Sequence, residues 1–128
     1  MTCCAACVQV SPKIYRSTQR MVEHGVSLAA LAPNIAIKCP ATKEGIAAME
    51  ELTARGINVN ATVSFSVPQA LVTAQALERG MERAVRSGTA PERLHPYVTI
   101  MVGRVDDHMK RVAERDAVIP HPAQMQDA

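Results

Sequence analysis

The sequence predicts an α/β fold on a parallel sheet, and three observations lead there. Short apolar runs rich in β-branched residues alternate with stretches of helical period along the 128 residues. Capping residues precede the helical stretches, and glycines follow several of them. The period of alternation is that of βα units joined by right-handed crossovers. That describes either a doubly wound sheet or part of a (β/α)8 barrel.

Taken in order, Cys7–Val10 is the first expected strand, stopped by Ser11-Pro12. Ser17 caps a helix carrying Met21 and Val22, with Gly25 as its expected stop. Asn34–Cys39 (NIAIKC) is the second strand, closed by Pro40, because the residue before a proline avoids helix. Thr42 caps a helix with Ile46, Met49 and Leu52 on one face, ended by Arg55-Gly56. Ile57–Val63 (INVNATV) is the third strand. Ser66-x-x-Gln69 is a capping-box pattern, with Pro68 in the first turn, where its missing N–H costs nothing. The following stripe is Leu71, Ala74, Leu77, Met81 and Ala84, and Gly88 ends it. Thr89-Ala-Pro-Glu92 is a second capping-box pattern opening one short turn. Tyr97–Val102 (YVTIMV) is nearly unbroken in its apolarity, as expected of a strand covered on both faces. Asp106-Asp107 is expected to start a last helix through about Arg115, the acidic pair suiting the positive end of its dipole. Residues 1–119 read as the folded segment and 120–128 as a loose tail without periodicity.

Composition removes several functions. Net charge is +2, from 14 basic and 12 acidic residues spread evenly, so no nucleic-acid footprint is expected. With Tyr15, Tyr97 and Phe65 as the whole aromatic set and no Trp, neither base-stacking platforms nor aromatic peptide grooves are expected. No apolar run nears the ~20 residues that cross a bilayer, and the start lacks a secretory layout; a cytoplasmic protein is the expectation. Cys4-x-x-Cys7 has a zinc-like spacing, but no second pair accompanies it, and His24, His95, His108 and His121 stand singly. Cys3, Cys4, Cys7 and Cys39 therefore read as reduced thiols, with a small redox or metal-binding protein as the rival reading. No Gly-x-Gly-x-x-Gly or P-loop pattern follows a strand, so no nucleotide cofactor is expected.

In parallel α/β folds functional groups gather at the C-terminal ends of strands. Those ends hold Gln9, Lys38, Asn60 with Thr62, and Thr99 with Arg104. Lys38 follows Ile35-Ala36-Ile37 and precedes Pro40. A desolvated amine there attacks carbonyls, whereas one that snorkels to water is only a strand-end charge. Arg104, after Gly103, suits a phosphate clamp or a surface ion pair with Asp106 or Asp107. Asn60 and Thr62 stand two apart on one strand and so share a face, as ligand contacts or as a satisfied core pair.

Ile37-Lys38-Cys39-Pro40-Ala41-Thr42-Lys43-Glu44-Gly45, then Gly56-Ile57-Asn58-Val59-Asn60-Ala61-Thr62-Val63-Ser64-Phe65-Ser66, Gln69-Ala70 and Val102-Gly103-Arg104-Val105-Asp106-Asp107 resemble the transaldolase family. The resemblance covers roughly residues 34–110 and implies a partial (half) (β/α)8 TIM barrel, equivalent to strands three to six of the family fold. It implies cofactor-free transfer of a dihydroxyacetone unit between sugar phosphates in the pentose phosphate pathway. Lys38 matches the Schiff-base lysine, Thr62 the hydroxyl that positions a catalytic water, and Asn60 a substrate-binding amide. Arg104 matches a phosphate-binding arginine, and Thr99 stands where a serine contacts substrate. Gln9 stands where the family has a proton-transferring glutamate, and an amide does not transfer protons near neutrality. The catalytic aspartate and an asparagine on the family's first two strands, and a further arginine after its sixth, have no counterpart in this sequence.

Three readings follow: an enzyme completed by partner chains, an inactive or merely sugar-phosphate-binding remnant, and another Schiff-base aldolase. An open half-barrel is expected to expose two strand edges and an apolar interior face, favouring self-association.

Overall fold

Four times the chain leaves a strand, turns, and winds a helix back along it. The computed structural model describes residues 6–116. The strands are β1 (Ala6–Gln9), β2 (Ile35–Pro40), β3 (Val59–Ser64) and β4 (Tyr97–Ile100). The helices are α1 (Thr18–Ala29), α2 (Lys43–Ala54), α3 (Val67–Arg86) and α4 (Val102–Arg115). Single 3-10 turns at Pro12–Ile14 and Pro91–Arg93 complete the order. The sheet runs β1-β2-β3-β4, every neighbouring pair parallel, which is the arrangement of a partial TIM barrel. Calls on Met1 to Ala5, Cys3 and Cys4 among them, and on the tail from Pro120 lie outside the described residues.

Local chemistry fixes the helix ends. Ser17, Thr42 and Ser66 accept the backbone N–H three residues on, from Arg20, Gly45 and Gln69. At the far end of α2, Gly56 takes φ +77°. Gly56 N–H donates to Thr53 and Ile57 N–H to Leu52, the paired bonds of a Schellman cap. Gly88 repeats this after α3 at φ +95°, with Gly88 donating to Val85 and Thr89 to Ala84.

One face of the sheet and the inner faces of α1 and α2 form the core: Val10, Met21, Val22, Ile37, Cys39, Met49, Leu52, Val59 and Ala61. Glu50 and Glu51 on α2 meet Arg79 and Arg83 on α3 at 2.7 and 2.8 Å, tying the exposed rim of that helix pair.

Five expectations are corrected. Gly25 does not stop α1, which continues to Ala29. A Cβ there would lie 2.9 Å from both Leu52 methyls, so the glycine is a contact point between helices. The buried stripe of α3 is Thr73, Ala76, Leu77, Gly80 and Ala84, whereas Leu71 is 57% exposed. Small residues win that face because α2 approaches closely: a Cβ on Gly80 would meet Glu50 O at 2.7 Å and Thr53 Cβ at 2.8 Å. The short turn after Gly88 is flanked by Ala90 and carries no side-chain cap, so Thr89 does not close a capping box. β4 is an edge strand that is largely exposed, not covered on both faces. Finally, α4 starts at Val102, uncapped, which places Asp106 and Asp107 in its second turn; none of its residues is buried.

Candidate functional site

The face of the sheet away from the helices is a trough, and strand register decides what lines it. Side chains alternate along each strand, so Ile37 and Cys39 enter the core while Lys38 and Pro40 face the trough. Gln9 pairs with Lys38, Lys38 with Asn60 and Asn60 with Tyr97, forming one row across four strands. Thr62 lies one step further on, opposite Pro40, and Cys7 one step back, opposite Ala36. The expected apolar interior face is thus corrected: the sequence alternates apolar-to-core with polar-to-trough.

Two hydrogen-bond chains knit this face. Thr99 Oγ1 donates to Asn60 Oδ1 at 2.9 Å, and Asn60 Nδ2 donates to Cys7 Sγ at 3.5 Å. Thr62, almost fully buried, donates to Met101 Sδ at 3.6 Å. Tyr97 Oη lies 2.7 Å from Cys7 Sγ although β4 and β1 are opposite edges of the sheet. Three interstrand spacings of about 4.8 Å would separate those strands by about 14 Å in a flat sheet. A tyrosine and a cysteine side chain together do not span that, so the sheet curls as a barrel wall does.

The charges of the trough are few. Lys38 is half-buried and Gln9 exposed. The hydrogen bond from Tyr97 holds the Cys7 thiol below its ordinary range, helped by Asn60 and by the Lys38 charge and opposed by partial burial. The same bond raises Tyr97. On the core side, burial pushes the Cys39 thiol up to about 12. Arg104 is exposed in the first turn of α4, and among the described residues no ion pair joins it to Asp106 or Asp107. Among the described residues no group of three His, Cys, Asp or Glu could hold a metal. No helix there is long and apolar enough to cross a membrane.

The upper rim is shaped by a strained turn. Val63 has φ +58°, in the left-handed region that a β-branched residue rarely enters, where the β3–β4 register shifts. Gln69 braces it: Nε2 donates to Val63 O at 2.8 Å and to Ala41 O at 2.7 Å, and Oε1 accepts from Phe65 N–H at 2.9 Å. The glutamine of the capping pattern thus reaches past the cap to join the ends of β2 and β3. Gln9, Lys38, Asn60 and Thr99 are brought together, Thr62 sits just above, and Arg104 stands on the adjoining helix. Cys7 and Tyr97 escaped the sequence reading as members of this face. Counting back two from Gln9 and from Thr99 would have found both.

A half-buried lysine, an amide and hydroxyls on the concave face of a curled parallel sheet define the class: a segment of a (β/α)-barrel protein. Gln9 ends β1, Lys38 and Thr62 lie in the second halves of β2 and β3, and Asn60 lies near the start of β3 rather than at its C-terminal end as expected. The family is shown by direct comparison. The chain matches the family described as Transaldolase/Fructose-6-phosphate aldolase over residues 5–128, and it belongs to that family. It is 32% identical over 110 residues to the transaldolase of Mycobacterium tuberculosis (strain ATCC 25618 / H37Rv), covering 84% of this chain and 30% of that protein. It is 33% identical over 110 residues to that of Mycobacterium ulcerans (strain Agy99), with the same coverage. Against the transaldolase of Thermobifida fusca (strain YX) it is 33% identical over 117 residues, 87% of this chain and 32% of that protein. The chain therefore spans about a third of the length of the curated relatives it matches.

Proposed function

We propose that the trough is a transaldolase-type site for sugar phosphates, carrying a dihydroxyacetone unit on Lys38 as a Schiff base. The observation that carries this reading is the row Gln9–Lys38–Asn60, with Lys38 half-buried on the strand next to Asn60. The Lys38 amine adds to the ketose carbonyl carbon, and loss of water leaves an iminium. That cation draws the electrons of the neighbouring C–C bond, releasing an aldose and leaving an enamine that adds to an acceptor aldehyde. Asn60 and Thr99 hold sugar hydroxyls, Thr62 positions a water, and Arg104 takes the phosphate. The reaction needs no cofactor, and its setting is the cytoplasmic pentose phosphate pathway.

Gln9 makes this chemistry impaired in the chain by itself. Its amide occupies the place beside Lys38 where a carboxylate would relay protons, and it neither gives nor takes one near neutrality. That same observation favours a second reading, a sugar-phosphate-binding remnant without turnover; an aldolase working through the same lysine is the enzymatic rival. Among the described residues β1 and β4 have no further strand neighbour, which supports self-association that would supply strands to the site. Trapping tests the primary reading: incubate with fructose 6-phosphate, reduce with borohydride, and map the adduct. The expected result is a reduced adduct on Lys38 that Lys38→Ala abolishes. No adduct, with Lys38→Ala indistinguishable from the parent, overturns it.

A further inference from the structure

Each of the first three helices rests on the strand that follows it: α1 on β2, α2 on β2 and β3, α3 on β3 and β4. For α4 there is no such strand, because β4 is the last of the sheet among the described residues. Val102, Val105, Met109 and Val112 recur along it at three- and four-residue spacing, so they form one apolar stripe. The first three are exposed, and no residue of the helix is buried. A matching gap lies at the other edge of the sheet. On the flank of α1 turned away from α2, Lys13, Ile14, Arg20 and His24 line an open groove of about 490 Å3. That is where a preceding helix would lie.

Charge decides what fills both surfaces. Where α2 meets α3, Glu50 stands one residue after buried Met49 and three before buried Thr53, and it reaches Arg79 at 2.7 Å. Arg79 and Arg83 each stand one residue before a buried position, Gly80 and Ala84. At about 3.6 residues per turn, the first spacing leans a side chain toward the following helix and the second toward the preceding one. Asp106 repeats the Glu50 spacing, one after Val105 and three before Met109. Arg20 repeats the Arg79 spacing, one before buried Met21. Among the described residues neither has an ion pair.

We propose that the occupant is a second copy of this chain. The α4 helix of each protomer lies in the α1 groove of the other, Asp106 against Arg20, with β4 beside the partner's β1. All the strands run the same way, so two curled sheets of four close into one barrel about a two-fold axis. Two Gln9–Lys38–Asn60 rows then share its interior, and each protomer completes the site of the other. This contact rests on the self-association proposed above and is independent of Schiff-base chemistry at Lys38.

The test follows the full chain by sedimentation velocity, with Asp106→Arg and Arg20→Asp as separate variants. Both positions are exposed, and circular dichroism checks that each variant folds. The parent is expected to sediment as a dimer. Either variant sets like charges across both contacts of its own pair, and its dimer dissociation constant is expected to rise about tenfold or more. In an equimolar mixture both contacts of the mixed pair regain opposite charges, so the dimer is expected to return. A segment of the same chain lying in the groove would leave the mixture no better than its components, and that outcome overturns the proposal. A parent dimer that neither variant weakens overturns it too, while self-association as such then stands. A monomeric parent sinks both, and larger open-ended assemblies overturn the closed pair. Borohydride trapping on Lys38 reads the Schiff-base proposal separately, whichever way the sedimentation falls.

Discussion

Replacing Gln69 with glutamate keeps the shape of the side chain and reverses the sense of two contacts. Nε2 donates to the carbonyls of Ala41 and Val63 at 2.7 and 2.8 Å, and Oε1 accepts from Phe65 N–H at 2.9 Å. Gln69→Ala removes all three bonds. At a net 0.5–1.5 kcal/mol each, reduced because two are open to water, the loss comes to about 1–2 kcal/mol. Gln69→Glu keeps the acceptor but sets a carboxylate oxygen against two carbonyl oxygens, for a cost of about 3 kcal/mol. At roughly 4 °C per kcal/mol for a domain of this size, the expected fall in Tm is about 4–8 °C for alanine and about 12 °C for glutamate. Urea unfolding and thermal melts measure both. Facing carbonyls, the new carboxyl has a folded-state pKa above its unfolded value of about 4.3, because only its protonated form donates. A raised pKa contributes stability that is present below the unfolded value and lost as pH rises through the folded one, so the glutamate variant should recover toward pH 4. A glutamate variant as stable as the parent at pH 7, or more stable than the alanine variant, refutes the bracing role.

Three further outcomes follow from the backbone. Gly80→Ala is expected to cost about 1–2 kcal/mol in a urea titration, since the clash with Glu50 O outweighs the gain in helix propensity. Gly103→Ala, with nothing within 4 Å, is expected to be neutral or stabilising by up to about 1 kcal/mol. Val63→Gly relieves the positive φ of a residue that is 40% exposed, so a change from no loss to about 1 kcal/mol of gain is expected. A drop in Tm of several degrees would show that the turn at Val63 is unstrained.

Alternation made the four βα units legible, and the caps at Ser17, Thr42 and Ser66 lay where short-range chemistry put them. What failed depended on distant partners. Gly25 reads as a stop because its reason for being glycine, the Leu52 side chain, sits on another helix. The α3 face went to Thr73 and Gly80 rather than Leu71 because α2 comes too close for larger side chains. At the candidate site, strand parity placed Asn60 and Thr62 on one face from sequence alone. The pairing of Lys38 with Asn60, and of Thr62 with Pro40 instead, required the register. The meeting of Cys7 and Tyr97 required the curl of the whole sheet, which no single strand encodes.

The placing of Lys38 and Cys39 on opposite sides of β2 also protects the fold against mispairing. A slip of one residue along either neighbour would swing the ammonium in among Met49, Leu52 and Val59 and bring the apolar side chains out into water. Burying that cation without a counter-charge would cost several kcal/mol, a large fraction of what holds a small domain together. The amine proposed to do the chemistry is therefore also a lock on alignment: its charge rules out the competing pairing while the chain is still assembling.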